Sequence, residues 1–334
     1  MTKVLTLAEL EDVVAAVLGR HGLAEPAARS VAGVVAAAER DGSRSHGLFR
    51  LPGYVATLKS GWISGDAVPV VTDTAPGLVT VDAANGFAQP ALAAGAALLR
   101  EKARSQGIAA LAIRNSHHFA ALWPDVEPFA EEGFVAMAFV NARSRVAPWG
   151  ARRKLLGTNP MAFACPRRGA PPLVWDQASS VVAQGEVLLA AREGHRLAPG
   201  IGLDAAGEPT EDPKAALEGA LLPFGGHKGS GIAFMVEILA ASVTGGRFGF
   251  EDRSAEYPGA QTTNAGELVI LIDPARSAGE GAIGRLDGLF AAVEAAGVPR
   301  LPGDARYFRR RKAMAEGIRV PQETWEMVQG FLAG

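Results

Sequence analysis

One cysteine, three tyrosines and no apolar run of membrane length are what this 334-residue chain has least of. A lone Cys165 excludes an intrachain disulfide and suits a reducing compartment. The most apolar helical stretch, Ile232 to Val243, carries Glu237 and falls well short of the roughly 20 residues that a bilayer demands. A dominant charge is also missing. The 33 Lys and Arg against 35 Asp and Glu leave -2, so no overall field draws nucleic acid or a membrane surface. Residues Met1 to Glu9 lack the basic start and long apolar run of a signal peptide. Thr6 followed by Glu9 reads instead as a capping box opening a helix. A soluble, cytoplasmic chain is the expectation. There is no Gly-x-Ser-x-Gly elbow and no Walker A motif. The single Gly-x-Gly-x-x-Ala match, Gly200 to Ala205, sits in a loop with no strand before it, so it is not a dinucleotide fingerprint.

What is present is the make-up of a folded enzyme, 48% hydrophobic and 20% charged, with length for about two domains. Apolar periodicity predicts helices over 7–20 and 26–40, then over 88–105, 119–132 and 180–192, and finally over 283–296 and 322–332. Strands are predicted at 68–72, 78–82, 108–113, 134–140, 161–164, 173–175 and 267–272. Strands and helices interleave over 74–290, which marks one α/β sheet domain; alternation alone favours a parallel sheet. The Ala- and Val-rich segments at either end, 1–73 with 291–334, are expected to pack together as a discontinuous helical domain.

Four segments carry chemistry. Asp41-Gly-Ser-Arg-Ser-His-Gly-Leu-Phe-Arg50 sets His46, able to exchange a proton near neutral pH, four residues from Arg50, a fork fitted to a carboxylate. If a helix begins at Ser45 or His46, the two share one face; the plain alternative is a capping serine with two solvated side chains. His117-His118-Phe119 follows a strand, the end at which an open α/β sheet places its ligand, though a polar surface turn reads as well. Adjacent histidines on an extended segment point to opposite faces, so no metal site is expected there. Gly225-Gly-His-Lys-Gly-Ser-Gly231 leads into a helix, and glycine amides beside a lysine suit an anion better than they suit a bare connector. Asp176 is placed to cap the next helix or to bind a ribose hydroxyl, while Gly157-Thr-Asn-Pro160 is a tight turn.

In their order, Ser45-His-Gly-Leu-Phe-Arg50, Asn115-Ser-His-His-Phe119, Gly157-Thr-Asn-Pro160, Asp176-Gln-Ala-Ser-Ser180, Pro223-Phe-Gly-Gly-His-Lys-Gly229 and Leu301-Pro-Gly-Asp304 resemble the malate/L-lactate dehydrogenase-like oxidoreductases, whose nicotinamide site is not a Rossmann fold. The resemblance spans nearly the whole chain. His118 to Ala130, with Trp123, looks most like the branch that reduces Δ1-piperideine-2-carboxylate and Δ1-pyrroline-2-carboxylate. So does the acid at Glu186, where hydroxy-acid members commonly carry lysine. Two positions depart from that branch: Glu186 stands for an aspartate and Gln177 for a methionine.

The resemblance implies a large, mostly antiparallel sheet domain, a helical domain built from both chain ends, and a homodimer. It implies His46 as proton donor with Ser45 and Glu186 as its partners, and Arg50, Thr158 and His118 as the substrate's holders. The cofactor would lie along His118, Phe119, Ala120, Ala121 and Leu122, along Asp176, Gln177 and Ala178, along His227 and Lys228, and along Pro302, Gly303, Asp304 and Arg306. That cofactor would be NADPH, with NADH the alternative, and the products proline or pipecolate. The nearest rival keeps the fold and oxidises a 2-hydroxy acid of the malate, lactate or ureidoglycolate type. A Ser45–His46 hydrolase is disfavoured because adjacent residues rarely present nucleophile and base to each other. A silent nucleotide-binding protein is disfavoured because every expected polar position is filled.

Overall fold

The structure, a computed structural model, describes residues 2–279 and 281–333. Strand β1 (Thr2–Leu5) leads to helices α1 (Leu7–Arg20), α2 (Glu25–Arg40) and α3 (Leu51–Lys59). The capping box forms: Glu9 N donates to Thr6 Oγ1 at 3.2 Å and Thr6 N to Glu9 Oε2 at 2.8 Å. Buried Leu10, Val14, Val17 and Leu18 make the apolar stripe that holds α1 down.

The hairpin β2 (Val70–Ala75) and β3 (Leu78–Phe87) follows, then α4 (Ala88–Gln106) and β4 (Ile108–His117). After α5 (Glu127–Glu131) come β5 (Val135–Val140), β6 (Met161–Arg167) and β7 (Ala170–Gln177), then α6 (Gln184–Glu193). The Gly-, Pro- and Asp-rich stretch 194–223, which carries no helix or strand period in the sequence, holds the short strands β8 (Gly202–Leu203), β9 (Pro209–Thr210) and β10 (Ala220–Leu221) with α7 (Pro213–Glu218) between the last two. Next are α8 (His227–Glu237), with a π-helical turn at Ile238–Ser242, and β11 (Asn264–Ile272). Helices α9 (Pro274–Ala278), α10 (Ala282–Ala295) and α11 (Asp304–Glu316), strand β12 (Ile318–Pro321) and helix α12 (Gln322–Ala333) complete the described chain.

The main sheet runs β2-β3-β4-β11-β5-β6-β7. Only the β3–β4 pair, joined through α4, is parallel; every other pair in it is antiparallel. The parallel sheet suggested by alternation is therefore corrected. Hairpins join β2 to β3 and β6 to β7, and β11 returns late in the chain to lie between β4 and β5. The core fills with Leu99 and Ala103 of α4 against Val81, Leu111, Ile113 and Val269 of the strands, closed by Trp123, Phe129 and Phe134.

A second apolar cluster joins α1, α2 and α3 to Ile318, Val320 and Val328, and β1 pairs antiparallel with β12 across it. This supports a unit built from both ends of the chain, a division we propose with its boundaries moved out of β2 and α10, which cuts at 73 and 290 would split. Helix α11 is absent from the periodicity reading. Its basic run Arg309–Lys312 leaves Tyr307 as its buried residue, so no apolar stripe marks it.

Candidate active site

Asp41 to Arg50 does not form one helix from Ser45. Two 3₁₀ turns, Arg44–His46 and Leu48–Arg50, are broken at Gly47, and α3 starts only at Leu51. The break is imposed from α2. Glu39 Oε1 accepts from Leu48 N at 2.8 Å, and a Cβ on Gly47 would run into that carboxylate. Asp41, fully buried, is held by Arg40 at 2.7 Å and by Arg310 of α11 at 2.6 Å, and Arg310 also reaches Glu127 at 2.7 Å. The basic run is thus partly turned inward, where it clamps the segment that carries His46 and Arg50.

His46 and Arg50 open on a cavity of about 450 Å³. His118, Phe119, Ala120, Ala121 and Leu122 line it from the end of β4, Thr158 from the turn before β6, and Asp176, Gln177 and Ala178 from the end of β7. Four chain segments that sequence spacing could only suggest as a set therefore meet in one place. Ser45 Oγ lies 3.1 Å from His46 Nδ1. The Arg50 guanidinium carbon stands 4.6 Å above the Phe119 ring, a cation–π contact that also orients the fork. Thr158 faces the cavity because its neighbour Asn159, in a left-handed conformation (φ 39°), is pinned from below. Asn159 Nδ2 donates to Glu237 Oε2 at 2.7 Å and to the Ala233 carbonyl at 2.9 Å.

Burial, then the charges of Arg50 and His118, push the His46 imidazole down to about 3. Unliganded His46 is therefore neutral at physiological pH. His118 behaves oppositely. Burial opposes its charge, but the Asp125 carboxylate, 2.7 Å from His118 Nε2, together with Glu267 and Asp176 raises it above its ordinary value. Its sequence neighbour His117 points the other way, into the core, bonded to Thr262 Oγ1 at 2.8 Å and Asn85 Oδ1 at 3.0 Å. The opposed faces expected of adjacent strand residues are observed. The structure thus makes His117 a packing residue and places no helix directly after it; a 3₁₀ turn, Trp123–Asp125, precedes α5.

Asp176 caps that turn rather than α6. Its Oδ2 accepts from Leu122 N at 3.1 Å and Trp123 N at 3.3 Å, and its Oδ1 faces Arg306 Nη2 at 3.2 Å. Arg306 lies over the Trp123 ring at 4.1 Å, just behind the cavity wall. Pro302 and Gly303 form the turn that starts α11, and Asp304, engaged by Arg167 at 2.8 Å at the far end of β6, lines a separate hollow; none of the three lines this cavity. His227 and Lys228 occupy the exposed first turn of α8, outside the lining. Phe224 N donates to the Ser179 carbonyl at 3.1 Å, which sets this glycine-rich loop beside Ala178 at the rim.

Glu186 is a correction. It is exposed in the first turn of α6 and, among the described residues, has no hydrogen bond or ion pair with His46. Helix phase is the reason: Gly185 and Val187 take the inward positions, and a Cβ on Gly185 would lie 3.3 Å from Ser45 Cβ and 3.4 Å from Arg50 Nη2. Sequence reading also missed Arg143 and Arg145, which line the same cavity half-buried, and it missed Gly185, Gln261 and Thr263. Burial, then Arg143, lowers the Arg145 guanidinium to about 10. Nothing local in Asn141-Ala-Arg-Ser-Arg145 marks a site.

The chain matches the malate/L-lactate dehydrogenase family over residues 5–329. It belongs to that family. This family member is 55% identical over 325 residues to the Δ1-pyrroline-2-carboxylate/Δ1-piperideine-2-carboxylate reductase of Pseudomonas putida, covering 97% of this chain and 95% of that protein. It superposes on the crystal structure of Δ1-piperideine-2-carboxylate reductase from Pseudomonas syringae pv. tomato with a TM-score of 0.97 at 52% identity, covering 99% of this chain and 100% of the other. It is also 42% identical to the NADP-dependent (2R)-3-sulfolactate dehydrogenase of Chromohalobacter salexigens, covering 99% and 98% of the two chains. As a member of this family the protein is an oxidoreductase with a nicotinamide cofactor. Its cavity walls suit one. Small Ala120, Ala121, Ala142 and Ala178 let a flat ring approach the backbone, and Arg143 and Arg145 offer charge to phosphates. No described helix is long and apolar enough to cross a membrane.

Proposed function

We propose that the protein reduces cyclic α-imino acids, Δ1-pyrroline-2-carboxylate and Δ1-piperideine-2-carboxylate, to proline and pipecolate. The observation that carries the reading is the convergence of a carboxylate fork, Arg50, and a proton carrier, His46, on one small cavity. The reduced nicotinamide, held along His118–Leu122 and Asp176–Ala178, supplies the hydride when bound. Arg50 receives the substrate carboxylate, with Thr158 as a further hydrogen-bonding group. His46 supplies the proton that the ring nitrogen needs as negative charge develops there.

The depressed His46 basicity fits this order of events. Burial is the larger cause of that low basicity and the Arg50 charge the next; a carboxylate on Arg50 offsets the second and so favours the protonated ring that the reaction uses. Ser45 Oγ, at 3.1 Å, holds the imidazole in register.

We also propose NADPH as the preferred cofactor, a homodimer as the assembly and the cytoplasm as the location. The 42% identity to a 2-hydroxy-acid dehydrogenase supports a second reading, oxidation of such an acid. One assay separates them: NADPH oxidation with Δ1-pyrroline-2-carboxylate, pyruvate and oxaloacetate. Faster turnover of a keto acid than of the imine would overturn the first reading.

A further inference from the structure

Behind His118, at the cavity wall, lie two carboxyl groups that the reaction described above does not use. A ring nitrogen of His118 and one carboxyl oxygen each of Asp125 and Glu267 lie within 4.8 Å of one another, and Asp125 and Glu267 are almost wholly removed from water. Glu267 sits mid-strand on β11, opposite Val140 of β5 and Ile113 of β4, and neither of its oxygens has a hydrogen-bond partner among the described residues. A buried, unpaired carboxylate is costly, and two of them beside one imidazole exceed what a single positive charge can balance. The neutral count is one imidazolium, one carboxylate and one protonated carboxyl. The 2.7 Å separation of His118 and Asp125 is a hydrogen bond. Ligands held at about 2.0–2.1 Å around a tetrahedral zinc would stand more than about 3 Å apart.

We propose that Glu267 is a positioning residue that acts through His118, keeping its ring an imidazolium whose Nδ1–H is a fixed donor toward the cavity. A charged ring donates at both nitrogens; Nε2 is engaged by Asp125, which leaves Nδ1 for an oxygen of the substrate or cofactor. A Glu267 carboxylate, where it forms, reinforces the imidazolium, as the Asp125 carboxylate already does. Burial, then Asp125, lifts the Glu267 carboxyl to about 8, with His118 opposing. The titratable groups facing the cluster are His46, on which the His118 charge acts, Asp176, itself paired with Arg306, and the buried Tyr54, whose hydroxyl burial and Asp125 keep protonated. The cluster titrates as a unit.

The catalytic part of this inference rests on the imine-reductase reading, so its test has one arm that does not. In the first arm, His118 is followed by NMR of Cε1-labelled histidine in the substrate-free protein from pH 5 to 10. Wild type is expected to keep the imidazolium signal through pH 8, and Glu267→Gln to lower the His118 midpoint by at least about one unit, a tenfold change in the charged fraction. An unmoved midpoint, or a ring already neutral at pH 7 in wild type, overturns the proposal whatever the substrate. One equivalent of bound metal in the purified protein overturns it as well.

In the second arm, kcat/KM for Δ1-pyrroline-2-carboxylate in Glu267→Gln should lie within about twofold of wild type at pH 6 and fall about tenfold at pH 9, chiefly through KM. A loss equal at both pH values would mean that Glu267 only supports packing and would overturn the proposal. Glu267→Leu, judged by its melting curve, serves as the comparison for packing damage.

Discussion

Arg50 Nε donates to the backbone carbonyl of Ser45 at 2.9 Å. The residue that would grip the substrate is thereby tied to the residue that orients the proton donor. Among the described residues its two terminal nitrogens have no hydrogen-bond partner, which leaves them open to a carboxylate. Arg50→Lys keeps the charge but loses both the tether and the fork. KM for the imino acid should rise on the order of 10- to 100-fold, the worth of a charged hydrogen bond. Steady-state kinetics checks it; a KM within twofold of wild type would remove Arg50 from the substrate site.

His46 is neutral first because it is buried and next because Arg50 stands beside it; a carboxylate bound to Arg50 offsets the second cause, and the expected outcome is that binding draws in a proton. Calorimetry with pyrrole-2-carboxylate, a planar analogue of the ring, in buffers of different ionisation enthalpy should register net proton uptake near pH 7. His46→Gln should abolish that uptake and lower kcat about 10²–10⁴-fold while cofactor affinity holds. Uptake that persists in the variant would point to another titrating group.

Acid should destabilise the free protein through its buried histidines. Burial holds His46 and His117 at about 3 when folded, whereas an unfolded histidine titrates near 6.5. Between those values the unfolded state binds more protons, so stability is full above about pH 6.5 and is lost as pH falls toward 3. Urea midpoints at pH 7 and pH 5 measure this, and His46→Gln should show a shallower drop than wild type.

Gly53 sits in α3 directly beneath Phe119. A Cβ there would stand 2.7 Å from Phe119 Cε1 and 3.5 Å from Gln261 Cβ. Alanine gains about 1 kcal/mol of helix propensity, but overpacking costs about 1–3 kcal/mol, so the crowding wins. Gly53→Ala should lower the melting temperature and raise KM together, because the displaced ring is the one stacked on Arg50.

Lys228 stands exposed at the α8 N-terminus, near the rim. Lys228→Ala should weaken NADPH binding by several-fold through loss of a phosphate-directed charge, with the melting temperature of the free protein unchanged. Fluorescence titration with NADPH decides it; an unaltered Kd would make 225–231 a connector.

Residue order revealed much of this site because its parts sit at strand ends and carry their own signals. Asp176-Gln-Ala178 closes β7, His118 follows β4, and the Thr6–Glu9 box announces α1. What stayed hidden depends on distant partners. Glu267 opens the apolar strand predicted at 267–272 and carries no signal of its own; only the fold brings Asp125 against it. Glu186 misled for the converse reason: a resemblance fixes a position in sequence, but the phase of α6 turns that side chain to solvent. Arg310 belongs to a basic run with no local acid, and its partners Asp41 and Glu127 come from distant segments.

The pairing of β1 with β12 also governs when the site can come into being. During synthesis the first strand waits for a partner made from nearly the far end of the chain, which at about 5–20 residues per second takes on the order of half a minute. Leu48 and Leu51, the neighbours that seat His46 and Arg50, share their apolar cluster with Ile318, Val320 and Val328. A nascent chain stalled before residue 318 would own every residue of the cavity and still lack the floor beneath its proton donor, so activity on the ribosome should switch on late and in one step.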